Sequence, residues 1–178
     1  WAEAVSRQAS TLQHTSNLYY TEPCVKLAQV LCEKTGLKKV FFANSGAEAN
    51  EGAIKTARKY AAEKKGEEYF TIITLENSFH GRTITTLAAT GQEHYHQQFK
   101  PLTNGFVHTP ANDFEALKKC AEEHKCAAIM FECVQGEGGV IALDKDFVLK
   151  TVEFAQDNDI LIIVDEVQTG NGRSGKMY

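Results

Sequence analysis

No apolar run in this chain approaches the length needed to span a bilayer, and no signal peptide opens it. Basic charge is not in excess either. Nineteen Lys and Arg against 23 Asp and Glu leave a net charge of −4, which argues against general nucleic-acid binding. The five cysteines (Cys24, Cys32, Cys120, Cys126 and Cys133) are odd in number and show no CxxC spacing. Reduced thiols in the cytoplasm are their simplest account. Cys120 and Cys126 with His94 and His96 match no zinc arrangement, so no metal is expected. Repeats, low-complexity tracts and internal linkers are missing as well. What is present is ordinary for a soluble globular domain: 178 residues, 43 % hydrophobic and 24 % charged, enough for one core. The chain opens at Trp1 without an initiator Met and stops within a glycine-rich stretch, as a piece of a longer protein would.

The pattern that organises the rest is DILIIVDEVQ, residues 159–168. Ile160 to Val164 is an unbroken apolar run rich in β-branched residues, which predicts a strand buried on both faces of a parallel sheet. Upstream, Cys24, Leu27, Ala28, Leu31 and Cys32 recur at helical spacing from Glu22 to Lys34, with Pro23 in the first turn and Gly36 at the end. Lys39 to Ala43 (KVFFA) predicts a short buried strand. A long helix follows from Gly46 to about Lys65, opened by the S-x-x-E box of Ser45 and Glu48. Its buried stripe is Ala53, Ile54, Ala57, Tyr60 and Ala61, with Glu51, Lys55, Arg58 and Lys59 facing water. Further strands are predicted at Phe70–Leu75, Gly105–His108 and Ala127–Phe131. Helices are predicted at 112–125, capped by Asn112 or Asp113, and at 144–157, capped by Asp144. Residues 84–100 carry no clear period. Alternating strands and helices imply right-handed crossovers: an α/β fold with a mostly parallel sheet and helices on both faces.

In such a sheet the polar turns after the strands share one edge, where ligands bind. Four of them carry chemistry: SGAE (45–48), SFHGR (78–82), ECVQGEGG (132–139) and DEVQTG (165–170). Gly46 and Ala47 offer free N–H groups at a helix start, suited to a phosphate, and Ser45 with Glu48 equally serves as a cap. Phe79 fits either a stacking role or the core. Arg82 fits either a grip on a carboxylate or a plain surface position. Glu137 among the glycines speaks against a phosphate loop and for a cation or an internal ion pair. Asp165 and Glu166 read as either a ligand-facing pair or a solvated one. Gly170, Gly172 and Gly175 fit G-x-G-x-x-G, but they follow their strand too late and open no predicted helix, so a nucleotide-binding oxidoreductase is the weaker alternative.

Taken in order, SGAEANE (45–51), FHGRT (79–83), QGEGG (135–139) and DEVQTG (165–170) resemble the subgroup III pyridoxal-phosphate aminotransferases. Within that family, HTSNLYYTEP (14–23) is most similar to the branch acting on N-acetylornithine. The resemblance implies the large cofactor-binding domain of a fold-type I enzyme over residues 36–178, preceded by an N-terminal segment over 1–35. It implies that Ser45, Gly46 and Ala47 hold the cofactor phosphate, that Phe79 and Val167 flank the pyridine ring, and that Gln168 bonds the ring hydroxyl. Asp165 would pair with the ring nitrogen. Arg82 would bind the substrate's carboxylate and Tyr20, with Tyr19 beside it, would line the substrate channel. Glu137 would act on the substrate side by pairing with an arginine from a part this chain does not contain, and Glu132 would lie near the ring or hold its loop. The reaction implied is transfer of an amino group from N-acetylornithine to 2-oxoglutarate. Ornithine, succinylornithine and 4-aminobutyrate are alternative donors, and a non-catalytic truncated copy is the alternative outside enzymes. A homodimer is implied, without nucleic-acid or membrane partners. Two departures stand out. Cys133 replaces a proline of many relatives, and the family's Schiff-base lysine lies beyond DEVQTG in a part this chain does not contain. Lys176 is too close to Asp165 to replace it, so these 178 residues alone are expected to be inactive.

Overall fold

The computed structural model describes residues 1–16 and 18–178; Asn17, within the HTSNLYYTEP stretch, lies outside them. Two compact units result, Trp1–Val40 and Phe41–Tyr178. The first contains α1 (Ala2–Thr11) and α2 (Glu22–Thr35). Pro23 sits in the first turn of α2, where a missing N–H costs nothing, and Gly36 closes it in the left-handed region at φ 74°. The predicted apolar set of α2 is at most half-buried within this unit, and Cys24 is exposed.

The second unit begins with a correction. Lys39–Ala43 is not a strand: no neighbouring strand among the described residues satisfies its backbone, and Phe41 is 69 % exposed. Then comes α3 (Gly46–Lys64), where the Ser45 side chain accepts from the Glu48 N–H. The return bond differs from the expected box, because the Glu48 carboxylate reaches one residue further, to the backbone and side-chain N–H of Asn44. The buried face of α3 is Asn50, Ile54, Ala57 and Ala61, with Tyr60 only partly covered. Arg58 does not simply face water. Its guanidinium donates to the carbonyls of Phe70 and Asn104 and lies over the Phe106 ring.

The remaining elements alternate: β1 (Thr71–Leu75), α4 (Ile84–Ala89), α5 (Glu93–His96), β2 (Phe106–Thr109), α6 (Phe114–Glu123), β3 (Cys126–Phe131), β4 (Val134–Gln135), β5 (Ile141–Ala142), α7 (Lys145–Asp157) and β6 (Leu161–Val164). The stretch 84–100 thus holds two short helices. Asp113, not Asn112, caps α6 through the Ala116 N–H. Asp144 stands at the N-cap of α7 but its side chain caps nothing; its own N–H donates to Asn112 Oδ1. The β4–β5 hairpin has no counterpart among the predicted strands, since two-residue strands leave no periodicity to read.

Four strands form one parallel sheet in the order β2-β1-β3-β6. Its faces are covered separately. Ile72, Ala127, Ala128 and Met130 meet Ile54, Ala57 and Ala61 of α3, while Ile73, Leu75, Ile129 and Phe131 meet Leu117 of α6 and Phe147 and Ala155 of α7. A register shift between Thr71 and Ile72 lets Ala127 and Ala128 turn to the same side, giving α3 a shallow bed of small residues. Each fully buried Ile or Leu here contributes roughly 1.5–3 kcal/mol. The fold class expected from the sequence therefore holds. Among the described residues β6 pairs only with β3; Leu161, Ile162 and Ile163 are half-buried and Val164 is 41 % exposed, so these residues alone do not bury the run on both faces. No helix among the described residues is long and apolar enough to cross a membrane.

Candidate active site

The chain leaves β1 for β2 on one side and leaves β3 for β6 on the other. The crevice where the direction reverses lies outside the carboxyl ends of β1 and β3, where open α/β sheets place ligands. The turn after β1, the turn after β3, the turn after β6 and the N-terminus of α3 converge there. Their cleft is lined by Gly46, Ala47, Asn50, Phe79, His80, Gly81, Glu132, Asp165, Val167 and Gln168.

Asp165 is the buried charge at its floor, 6 % exposed. One carboxylate oxygen accepts from His80 Nδ1 at 2.9 Å and from the Asn50 amide at 2.8 Å, and the other accepts from the Val167 N–H at 3.0 Å. Burial alone would push the acid up. The His80 hydrogen bond and charge, the Val167 N–H and the Asn50 amide outweigh it, and the pKa lies below the ordinary carboxylate value. An ionised Asp165 requires a proton on His80 Nδ1. His80 Nε2 is then the opposite, buried end of the ring, and it has no protein partner among the described residues.

Glu132 is buried and ties two of the turns together. It accepts from the Phe79 N–H at 2.9 Å and from the Gly136 N–H at 3.4 Å. Burial dominates these bonds and raises its pKa. Gly46 has no spare room on its inner side, because a Cβ there would come 2.7 Å from Val167 Cγ2. Only glycine brings the start of α3 this close to the turn after β6.

The other expected residues fall as follows. Ser45 is exposed at the cap, beside the lining residues Gly46 and Ala47. Phe79 is half-buried and meets Tyr95 edge-on, and the exposed Arg82 reaches over its ring at 5.9 Å. Val167 and Gln168 are exposed on the cleft's lip. Glu137 is also exposed but does not line the cleft; it accepts from the Tyr95 hydroxyl at 2.7 Å. Tyr20 belongs to the N-terminal unit and is 95 % exposed. The residues after Thr169 form turns and open no helix, so the G-x-G-x-x-G match has no dinucleotide-binding context. Sequence reasoning missed Asn50 and His80. A signal for Asn50 existed: it occupies the i−4 place of the stripe Ile54, Ala57, Ala61, where a polar side chain needs a buried partner.

A deeply held carboxylate, a helix N-terminus and an aromatic ring thus converge on one strand-end crevice. The aminotransferase class-III family matches residues 2–178, and the chain belongs to that family. It is 57 % identical over 178 residues to acetylornithine aminotransferase of Haemophilus ducreyi, covering 100 % of this chain and 45 % of that protein. It is 46 % identical over 176 residues to succinylornithine transaminase of Salmonella paratyphi A, covering 99 % and 43 %. Among solved structures, an ornithine aminotransferase from Toxoplasma gondii, with partial occupancy of PLP at its active site, superposes with a TM-score of 0.92 at 31 % identity, over 99 % of this chain and 42 % of that one. The chain thus spans less than half the length of these relatives.

Proposed function

We propose that these residues form the cofactor-binding core of a pyridoxal-phosphate-dependent aminotransferase that passes an amino group from N-acetylornithine to 2-oxoglutarate. The observation that carries the reading is the buried, ionised Asp165 with three donors already in place. Such a carboxylate at the floor of an open cleft suits a cationic ring N–H, and the phosphate end suits the free N–H groups of Gly46 and Ala47 at the α3 N-terminus beside Ser45. Phe79 and Val167 would flank the ring, Gln168 would bond its hydroxyl, and Arg82 would receive a substrate carboxylate. Glu137 would act on the substrate side by pairing with an arginine from outside these residues.

When bound, the protonated pyridine ring withdraws electrons from the substrate carbon that loses its proton. This chain's part is to hold that ring charged. Asn50 and His80 orient Asp165 so that its charge faces the cleft, and burial excludes the water that would screen it. No lysine among the described residues lines the cleft. The amine that links the cofactor and carries the proton is proposed to come from outside these residues, which alone would not turn over. A cytoplasmic homodimer completes the proposal; cysteines that are all free agree with a reducing compartment.

The test uses the full-length protein with acetylornithine, succinylornithine, ornithine and 4-aminobutyrate as donors. Preference for acetylornithine, lost in Asp165→Asn with the fold intact, is expected. Absence of a bound-cofactor absorption band after adding pyridoxal phosphate would overturn the reading. Preference for succinylornithine, as the second relative's name suggests, would redirect the substrate alone.

A further inference from the structure

Both ring nitrogens of His96 face oxygens that can only accept a hydrogen bond. Nε2 lies 2.9 Å from the Leu87 carbonyl and 2.8 Å from the Thr90 carbonyl, and Nδ1 lies 3.2 Å from a Glu93 carboxylate oxygen. A neutral imidazole carries one proton, so it can serve one side but not both. Only the imidazolium satisfies the arrangement, and the ring is 3 % exposed. The other Glu93 oxygen accepts from Lys100 at 2.8 Å; Lys100 first, then His96, holds the Glu93 carboxyl below its ordinary value. On β2 the His108 ring stacks on His96, with centroids 6.0 Å apart. Burial first, then the charges of His96 and His80, push His108 down to about 4, so it stays neutral beside the charged ring. Helix α4 holds no ionisable side chain.

Two ties run from His96 to the candidate site. Thr90, whose carbonyl it holds, accepts from the His80 N–H through Oγ1 at 2.9 Å, and His80 in turn holds Asp165. The preceding residue, Tyr95, meets Phe79 edge-on, with ring centroids 5.7 Å apart. Between them, the Gly91 N–H and the Gln92 amide both bond Ser78. Residues 90–96 thus clasp the turn after β1.

We propose that His96 is a positioning residue whose second proton latches α5 against the turn after β1, keeping Phe79 and His80 in place for the cofactor ring. This rests on the assignment of Phe79 and Asp165 to that ring made above. As pH rises and Nδ1 gives up its proton, its lone pair points at the Glu93 carboxylate, and a bond becomes a repulsion. Lys100 keeps the carboxylate where it is, so the strain falls on α5. Phe79 then loses its brace, and Thr90 loses its hold on His80.

The experiment titrates full-length wild-type and Glu93→Gln apoproteins with pyridoxal phosphate from about pH 6.5, the ordinary histidine value, to about pH 9. Glu93 is exposed, so its loss leaves the fold intact. The amide that replaces the carboxylate can accept from a charged Nδ1 or donate to a neutral one, so the variant has no latch to lose. Dissociation constants should agree within about twofold at the acid end, and toward the alkaline end wild type should weaken about fivefold relative to the variant, as expected for one exposed ion pair. Parallel profiles overturn the proposal and leave the site reading standing. Ring-nitrogen NMR of the wild-type apoprotein needs no cofactor: near neutral pH both His96 nitrogens should carry protons, the signals being assigned by their loss in His96→Gln. A ring with one proton there overturns the proposal. If wild type binds no pyridoxal phosphate at any pH, the site reading fails, and the proposal fails with it.

Discussion

Asn50→Ala removes two hydrogen bonds at once, one to the buried Asp165 carboxylate and one to the His80 carbonyl, both 2.8 Å. A hydrogen bond to a buried charge contributes about 2 kcal/mol and a neutral one about 1 kcal/mol, so the variant should lose about 3 kcal/mol at pH 7. The loss should depend on pH, with a sign fixed by Asp165. Its folded pKa lies below the unfolded value, so its stabilisation is complete above the unfolded pKa and disappears as pH falls through the folded one. Once Asp165 is protonated, Asn50 serves two neutral acceptors, and the gap between wild type and variant should shrink to about 2 kcal/mol. Urea denaturation of both proteins in steps from pH 7 down through the acid transition measures this directly. Asn50→Asp sharpens the contrast, because it sets a second carboxylate against Asp165 and should be worst at pH 7 and least harmful in acid. Equal midpoints for wild type and Asn50→Ala, or a gap that ignores pH, would refute the argument.

Two further outcomes follow from the same structure. Gly91→Ala would place a Cβ 2.0 Å from the Leu75 carbonyl oxygen in a region with little freedom to move, and should lower stability by about 3 kcal/mol or more in thermal melts. His108 is pushed down to about 4, first by burial and then by the charges of His96 and His80, so its NMR signals should not titrate between pH 5.5 and 8. Because the unfolded imidazole takes up a proton near 6.5 and the folded one does not, His108 should contribute a loss of stability as pH drops from 6.5 toward 4.

Where the backbone's needs are local, the sequence reveals them. Ser45, Asp113, Pro23 and Gly36 mark helix ends because a side-chain acceptor or a φ preference acts within a turn. The buried strands β1 and β3 are legible because a parallel sheet covered on both faces needs continuous apolar runs. KVFFA has the same composition and fails, since a strand is completed by its neighbours and none of the described residues supplies one. Leu161–Val164 forms a strand as expected, but among the described residues only β3 pairs with it and its side chains are half-covered, because the neighbours of a strand are recorded in no local pattern. In the site, the motif turns point to Asp165, Phe79 and Gly46, while Asn50 and His80 emerge only once segments 115 and 85 residues apart from Asp165 meet it. Arg58 misleads for a related reason: its partners are backbone carbonyls, which every residue possesses and no composition reveals.

The helix α3 and the strand β6 are joined at both ends by polar contacts rather than apolar ones. Asn50 holds Asp165 just past the strand, while Tyr60 bonds Asp159 and Lys65 bonds the carbonyls of Asn158 and Asp159 just before it. Two elements with different rises thus measure the same interval. From Asn50 to Tyr60 the helix advances about 15 Å at 1.5 Å per residue. From Asp165 back to Asp159 the extended chain covers about 20 Å at 3.3 Å per residue. The long side chains of Tyr60 and Lys65 take up the difference. Neither count can change alone. A single residue inserted into α3 between the pins would rotate Asn50 by about 100° about the helix axis and carry it off the carboxylate. Substitutions along this helix are thus limited one by one, by what each side chain touches, whereas its length is held fixed as a whole, like the spacing of teeth on two meshed gears.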